Sequence, residues 1–92
     1  MSLATETVQE IVKTYQQHDK DTASPEVQIA LLTAKIKSLT DHLRSHKHDY
    51  HSRRGMEKMV SRRKKLLRYL KKLNQDRFDK VVQELGIRAK NI

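Results

Sequence analysis

The sequence predicts an all-α protein of four helices: a short N-terminal helix, two long antiparallel helices and a short C-terminal helix. Glycine and proline together number only three in 92 residues, so the chain has little of the turn chemistry that hairpins need. Apolar residues recur at spacings of three and four, and no stretch alternates as a strand would. At this length we expect one domain over residues 1–92, with a thin aliphatic core.

The first two helices are marked by apolar spacing and by a helix-start signal. One face of the first helix carries Val8, Ile11, Val12 and Tyr15. Ser24 and Pro25 are typical of a helix start, because Ser caps the first turn and Pro fits the first helical position. The second helix is expected to bury Ile29, Leu32, Ile36, Leu39 and Leu43.

The third and fourth helices follow a polar break. The chain from Ser45 to His51 interrupts the apolar pattern and is predicted to be a loop, with Ser52 a candidate start for the third helix. Asn74 and Asp76 mark a second break, and Gly86 is placed to end the fourth helix. The apolar positions of the third helix are Met56, Met59, Val60, Leu66, Leu67, Leu70 and Leu73. Those of the fourth are Phe78, Val81, Val82 and Leu85.

The positive charge is concentrated in one part of the chain. There are 20 Lys and Arg residues against 11 Asp and Glu, a net charge of +9. Residues 44–72 hold twelve bases and two acids, a net charge of +10, whereas residues 1–43 have a net charge of −2. A local excess of this size indicates a polyanionic partner, either nucleic acid or an anionic membrane surface.

A basic ridge is predicted along the third helix. Its members follow at i, i+4, i+7, i+11 and i+14: Lys58, Arg62, Lys65, Tyr69 and Lys72. At 100° per residue they lie roughly 130° from the apolar stripe. Cations in such a row neutralise successive phosphates, and a tyrosine among them stacks on a base or sugar. A merely solvated cationic face is the alternative, and the scarcity of interleaved acids weakens it.

A histidine corner lies between the two long helices. It consists of His42, His46, His48 and His51, with Asp41 and Asp49 nearby. His42 and His46 have a metal-ligand spacing, but the rest of a zinc motif is missing. A mixed set of loop donors and acceptors suits the shallow minor groove of RNA better. Asp49 has two interpretations: it accepts from a base amino group, or it caps the third helix or pairs with Arg53.

Other classes of function are disfavoured by what the sequence lacks. The absence of cysteine excludes disulfides, thiolate zinc sites and cysteine nucleophiles. There is no Gly-rich phosphate loop, and no nucleophile adjoins His42, so we expect neither an enzyme nor a cofactor. The N-terminal stretch is not a signal peptide, and no run approaches the roughly 20 apolar residues of a membrane span. A membrane-surface helix needs free apolar residues, whereas the core takes these.

Five blocks of the sequence resemble the bacterial-type family of small-subunit ribosomal protein S15. They are Asp21–Gln28, Leu39–Leu43, His46–Gly55, Arg63–Leu70 and Leu85–Arg88, in order and over nearly the whole chain. The most specific is the H-x-x-D-x-x-S-R-R-G pattern that begins at His46. Two positions depart from the family pattern: Ala23 replaces the usual Gly, and Met56 replaces the usual Leu or Phe.

The resemblance implies a four-helix structural constituent of the small ribosomal subunit, acting in the cytoplasm within the ribosome. It implies binding to small-subunit rRNA at a three-way junction of the central domain, early in assembly. The other partners it implies are central-domain ribosomal proteins and, at an intersubunit bridge, large-subunit rRNA. We expect no membrane, no metal and no homo-oligomer.

The resemblance also implies roles for particular residues. His42, Asp49 and Ser52 would read a G–U/G–C element in the RNA minor groove, which makes Asp49 a base contact rather than a cap. The junction would be held by Thr22, Gln28, Lys65, Tyr69 and Lys72. The expected RNA-binding set is completed by Arg53, Arg54, Lys58 and Arg62.

Overall fold

The protein is all-α, as the sequence predicts. The computed structural model describes residues 5–16 and 24–88; Thr22 and Ala23 lie outside them. Four helices follow one another within these residues: α1 (Thr5–Tyr15), α2 (Pro25–Ser45), α3 (Tyr50–Leu73) and α4 (Gln75–Leu85). None of the helices described has both the length and the apolar composition that crossing a bilayer requires.

Helix α2 begins where the sequence predicts. Ser24 is the N-cap, and its side-chain oxygen accepts from the Val27 backbone N–H at 3.5 Å. Pro25 occupies the first helical position, where a missing N–H costs no hydrogen bond. The start of α2 is therefore fixed by local chemistry alone.

Helices α2 and α3 lie antiparallel against each other. The Thr40 hydroxyl near the end of α2 donates to the sulfur of Met56 near the start of α3, at 3.4 Å. The Arg63 guanidinium, farther along α3, donates to the Thr33 hydroxyl, farther back on α2, at 3.4 Å. Partners that come later on one helix come earlier on the other, which confirms the antiparallel prediction.

The core is small and aliphatic. Its cluster of buried side chains comes from α2, α3 and α4: Ile29, Leu67, Leu70, Phe78 and Val81. Leu39 and Leu43 are also buried, as predicted, whereas Leu32 and Ile36 are half-buried.

Two predicted core positions of α3 are wrong. Val60 is 39% exposed and Leu73 is 51% exposed. At 100° per residue, Val60 lies about 50° and Leu73 about 90° from the midpoint between Leu67 and Leu70, on opposite sides. The stripe is thus narrower than the sequence suggested, and the two outer positions face solvent.

The break between α2 and α3 is shorter than predicted. Ser45 still belongs to α2, and α3 begins at Tyr50, so the connection is residues 46–49. The proposed start at Ser52 is wrong, because Asp49 is the N-cap: its Oδ1 accepts from the Ser52 backbone N–H at 3.1 Å. A carboxylate three residues upstream satisfies the free N–H that would otherwise need a cap.

The last two boundaries are those that the sequence predicts. Asn74 ends α3 and caps α4, with its side-chain oxygen accepting from the Arg77 N–H at 3.2 Å. Gly86 ends α4 at φ +62°, a left-handed conformation that favours glycine. Asn74 thus marks the turn from α3 into α4, and Gly86 marks the end of α4.

A buried ion pair joins α2 to α4. Glu26, in the first turn of α2, is only 4% exposed, although the sequence pattern did not mark it as a core position. The Arg77 guanidinium donates from Nε and Nη2 to the two carboxylate oxygens, with the Nη2–Oε1 contact at 2.6 Å. This forked geometry satisfies both oxygens of the buried carboxylate.

Helix α1 packs against α2 and is tied to α4 by a side-chain hydrogen bond. Burial, together with the Glu84 carboxylate to which the Tyr15 hydroxyl donates, raises the pKa of Tyr15 above its usual value. The half-buried Tyr15 thus links the first helix to the last.

Removal of the buried carboxylate should destabilise the fold. We expect Glu26→Ala to lower the free energy of unfolding by about 3 kcal/mol, because Arg77 loses its partner. Glu57→Ala is the matched control, since Glu57 is exposed on α3, and its effect should stay within about 0.5 kcal/mol. Urea unfolding monitored by circular dichroism measures both. Equal losses would mean that the ion pair does not hold α4.

Candidate nucleic-acid interface

The basic ridge of Lys58, Arg62, Lys65, Tyr69 and Lys72 is exposed along its whole length. Tyr69 is 57% exposed, which confirms that it lies on the surface and not in the core. From Lys58 to Lys72 the ridge spans about 21 Å of helix axis. The opposite side of α3 is held against α2 and α4, so the ridge faces away from the core.

The ridge cations are not neutralised by nearby carboxylates. Within residues 5–16 and 24–88, no Asp or Glu side chain forms an ion pair with Lys58, Arg62, Lys65 or Lys72. Helix α3 itself contains a single acid, Glu57. Most of the positive charge therefore stays available to a phosphate backbone.

Two open grooves extend the ridge sideways. The larger, of about 500 Å³, is lined by Arg54, Glu57, Lys58, Ser61, Arg62 and Lys65. The smaller, of about 150 Å³, lies between α2 and α3 and is lined by Gln28, Leu31, Leu32, Lys35 and Arg62. The structure thus brings Gln28 beside the ridge. It also adds Lys35, which sequence reasoning missed, although its i+7 spacing from Gln28 places both on one face of α2.

The histidine corner is organised around one carboxylate. The His42 Nε2–H donates to Asp49 Oδ2 at 2.8 Å. The Ser52 hydroxyl donates to the same oxygen at 2.7 Å, and the Ser52 backbone N–H donates to Oδ1 at 3.1 Å. Three residues from α2, the connection and α3 meet in this way at one end of the bundle.

These hydrogen bonds keep Asp49 ionised. The Ser52 hydroxyl, then the His42 ring and then the Ser52 backbone N–H hold the pKa of Asp49 well below its usual range. An ionised carboxylate only accepts hydrogen bonds, so His42 Nε2 carries the proton in this contact. The His42 ring also stacks on His46, with centroids 4.2 Å apart and planes 7° apart.

The corner presents hydrogen-bond acceptors to an incoming partner. The hydrogen of the Ser52 hydroxyl is committed to Asp49, so this hydroxyl has only lone pairs to offer. Oδ1 of Asp49 accepts one bond from the Ser52 N–H and has a second lone pair. In a minor groove the guanine amino group is the one base donor, and ribose hydroxyls donate as well. The acceptors are therefore suited to a guanine in an RNA minor groove.

The order of the bonds is not that of a catalytic triad. Ser52 donates to Asp49 and not to His42, so no base stands ready to take the hydroxyl proton. The part of the chain that the structure describes also holds no group of three or more His, Asp or Glu side chains arranged for a metal ion. Nε2 of His42 is engaged with Asp49.

The resemblance implied that Asp49 is a base contact rather than a cap, and the exclusion of a capping role is wrong. Asp49 caps α3, and the same bonds orient its carboxylate at the surface, where the side chain is 32% exposed. The two interpretations of Asp49 are compatible, because capping leaves lone pairs available.

Two of the remaining candidates, Arg53 and Arg54, follow the corner along α3. Arg53 and Arg54 are exposed in the first two turns of α3. Thr22 falls outside the described residues, so its proposed place at the junction stays a prediction. Tyr50, at the start of α3, is 67% exposed and was missed, because the sequence assigned it to a loop.

Comparisons with known proteins agree with the resemblance seen in the sequence. A family model described as "Ribosomal protein S15" matches residues 8–88. The small ribosomal subunit protein uS15 of Trichlorobacter lovleyi is 56% identical over 86 residues, which cover 94% of this chain and 98% of that protein.

Loss of the Asp49 carboxylate should weaken the start of α3. We expect Asp49→Ala to lower the melting temperature by several degrees, because the Ser52 N–H loses its acceptor. Asp49→Asn should melt nearer to wild type, since Asn caps as well as Asp does. Thermal unfolding by circular dichroism measures both variants, and identical melting temperatures for Asp49→Ala and wild type would contradict the capping role.

Proposed function

The chain belongs to the ribosomal protein S15 family, and we propose that it binds a three-way junction in the central domain of small-subunit rRNA through two separate surfaces. As a family member it is a structural constituent of the small ribosomal subunit and not an enzyme. Ribosomal RNA and neighbouring ribosomal proteins are accordingly its partners. What the proposal adds is the element of RNA that is bound and the residues that bind it.

The histidine corner is the reading surface. His42, Asp49 and Ser52 form one hydrogen-bonded group whose remaining lone pairs are acceptors, and the Asp49 side chain is 32% exposed. A guanine amino group in the minor groove of a G–U/G–C element supplies the donor that these acceptors need. This hydrogen-bonded group is the observation that carries the proposal, because it places oriented acceptors, beyond those that cap α3, at the end of a cationic surface.

The basic ridge is the second surface and holds the junction. Lys65, Tyr69 and Lys72 follow one another on the exposed face of α3, and Gln28 lies beside them across the smaller groove. Cations bind the phosphates of converging strands, and Tyr69 stacks on a base or sugar where helices meet. Thr22 completes this surface in the proposal.

The two surfaces together select one arrangement of the RNA. Asp49 and Lys72 are separated by about 35 Å along α3, so both surfaces bind only when the arms of the junction are suitably oriented. The protein then favours the folded junction over the open one by the difference in binding free energy. In the proposal the protein acts early in assembly, because it stabilises the folded junction before later central-domain proteins join. An intersubunit contact with large-subunit rRNA is also part of the proposal.

The direct test is binding to a three-way-junction fragment of small-subunit rRNA, compared with an RNA duplex lacking the junction and with duplex DNA. At physiological salt we expect clear preference for the junction. Equal binding to all three, with the same steep salt dependence, would leave only a generic polycation.

The reading role of Asp49 is tested by a change that preserves the cap. We expect Asp49→Asn to weaken binding to the junction fragment roughly tenfold or more, because an amide replaces one of the acceptor oxygens. Asp41→Asn is the matched control, since Asp41 is an exposed acid on the same helix as His42 and has a net charge effect of the same size. A charge effect alone would leave binding unchanged or strengthen it in both variants, because each change removes a negative charge that repels phosphates, so equal effects of the two changes would contradict a reading role for Asp49.

The role of Tyr69 is tested by removing its ring. Tyr69→Ala should weaken junction binding roughly tenfold and leave the melting temperature nearly unchanged, because the side chain is exposed. Tyr69→Phe keeps the stacking face and should bind close to wild type. A large drop in melting temperature would indicate a structural role, and a loss in Tyr69→Phe equal to that in Tyr69→Ala would indicate a hydroxyl contact instead of stacking.

A further inference from the structure

An exposed aromatic ring lies at the edge of the histidine corner and has no role in the proposed contacts. Tyr50 is the first residue of α3 and directly follows Asp49. Its relative exposure is 67%, the largest among the exposed large hydrophobic residues of the described chain. A single exposed aromatic is ordinary on a protein surface, so its neighbours decide whether it has a use.

The aromatic residues of the chain divide into two groups. There are three tyrosines and one phenylalanine. Phe78 is buried in the core and Tyr15 is half-buried between α1 and α4. Tyr50 and Tyr69 are the exposed pair, and both lie on α3 among its cations. Each exposed tyrosine thus has Lys or Arg residues within one helical turn of it.

The ring of Tyr50 is held in position by a neighbour. A hydrogen bond of 3.1 Å joins the Tyr50 hydroxyl to His48 Nδ1, and the two rings meet edge to face with centroids 6.0 Å apart and planes 65° apart. A tethered ring loses less side-chain entropy when a partner binds than a free one does. The greater part of the Tyr50 side chain nevertheless stays open to solvent.

Two guanidinium groups lie one helical turn from this ring. Arg53 and Arg54 follow Tyr50 at i+3 and i+4, the spacings that bring side chains together on a helix surface. Both are exposed, and no carboxylate in the described residues forms an ion pair with either of them. A flat ring with two unneutralised cations beside it matches a nucleotide, which has a π-face and an adjacent phosphate.

We propose that Tyr50 is a stacking platform for an unpaired nucleobase of the bound RNA, with Arg53 and Arg54 binding the phosphates that flank that base. The inference rests on the proposed function and extends it, since it adds a single-stranded nucleotide to the minor-groove element that Asp49 reads. It also gives Arg53 and Arg54 a defined task. An apolar protein partner fits the site poorly, because the cations on either side would have to be desolvated.

The first test compares ring-keeping and ring-removing changes at this position. On the junction fragment, we expect Tyr50→Leu to bind roughly tenfold more weakly than wild type, because leucine keeps the bulk but has no π-face. Tyr50→Phe keeps the face and should bind within about threefold of wild type. Both variants should melt like wild type, since the side chain is exposed. Wild-type affinity in Tyr50→Leu would overturn the proposal.

The second test observes the contact itself. The chain contains no tryptophan, so Tyr50→Trp introduces a single tryptophan at the platform, whose emission can be excited selectively. Stacking of a base on the indole should strongly quench its fluorescence when the junction fragment is added. Val60→Trp is the control, because Val60 is 39% exposed on α3 but lies away from the ridge, and its emission should change little. Equal emission changes in the two variants would overturn the proposal.

The two tests separate this inference from the proposed function. If wild type prefers the junction but Tyr50→Leu binds equally well, the function stands and the platform is wrong. If wild type shows no junction preference, the proposed function fails, and the Tyr50→Trp signal with the same RNA still decides. Quenching then upholds base stacking at this position, and an unchanged signal overturns it.

Discussion

The packing of α3 against α2 and α4 is the constraint on which the rest of the structure depends. Leu67 and Leu70 are 1% and 0% exposed and share one cluster with Ile29, Phe78 and Val81. This narrow contact fixes the rotation of α3 about its own axis, because the helix has no second apolar face that could pack against α2 and α4 instead. Every residue outside the stripe must therefore face solvent, which places a continuous row of cations on one exposed surface. The buried Glu26–Arg77 pair adds a polar contact between α2 and α4 to this small core.

Asp49 connects stability to recognition. Its carboxylate accepts from the Ser52 N–H as the cap of α3, and from the His42 ring of α2. The Ser52 hydroxyl is a third donor to the same carboxylate. These three hydrogen bonds leave the carboxylate little rotational freedom, so its remaining lone pairs are oriented before any partner arrives. In the proposed complex no side-chain entropy is then spent on arranging them. The same bonds hold the pKa of Asp49 far below neutrality, so the acceptor persists throughout the physiological range.

The sequence predicted most of the fold, because most of its signals are local. Pro25 at the start of α2, Asn74 between α3 and α4, and Gly86 in a left-handed conformation each act within one turn of chain. The start of α3 was missed because Asp49 and Ser52 are both good caps, and pattern alone does not rank them. The Glu26–Arg77 pair joins residues 51 positions apart, a separation that periodicity cannot report. For the site, exposure of the ridge was predictable from helical spacing, whereas the bonding order within the corner required three-dimensional coordinates.

The basic ridge is cationic and the Asp49 carboxylate of the histidine corner is anionic, and this difference bears on how the protein would select one RNA over another. A row of Lys and Arg attracts any polyanion and carries no sequence information. An ionised carboxylate at the end of that row has the opposite effect, because it repels phosphate groups that approach the corner. An RNA is favoured there only if it presents a donor, such as a guanine amino group, where a random duplex would present its backbone. In the proposed complex Asp49 therefore lowers affinity for most nucleic acids and keeps it for one geometry. A protein with a net charge of +9 needs such an unfavourable interaction with other RNAs if it is to bind specifically, since its cations alone would bind them equally well.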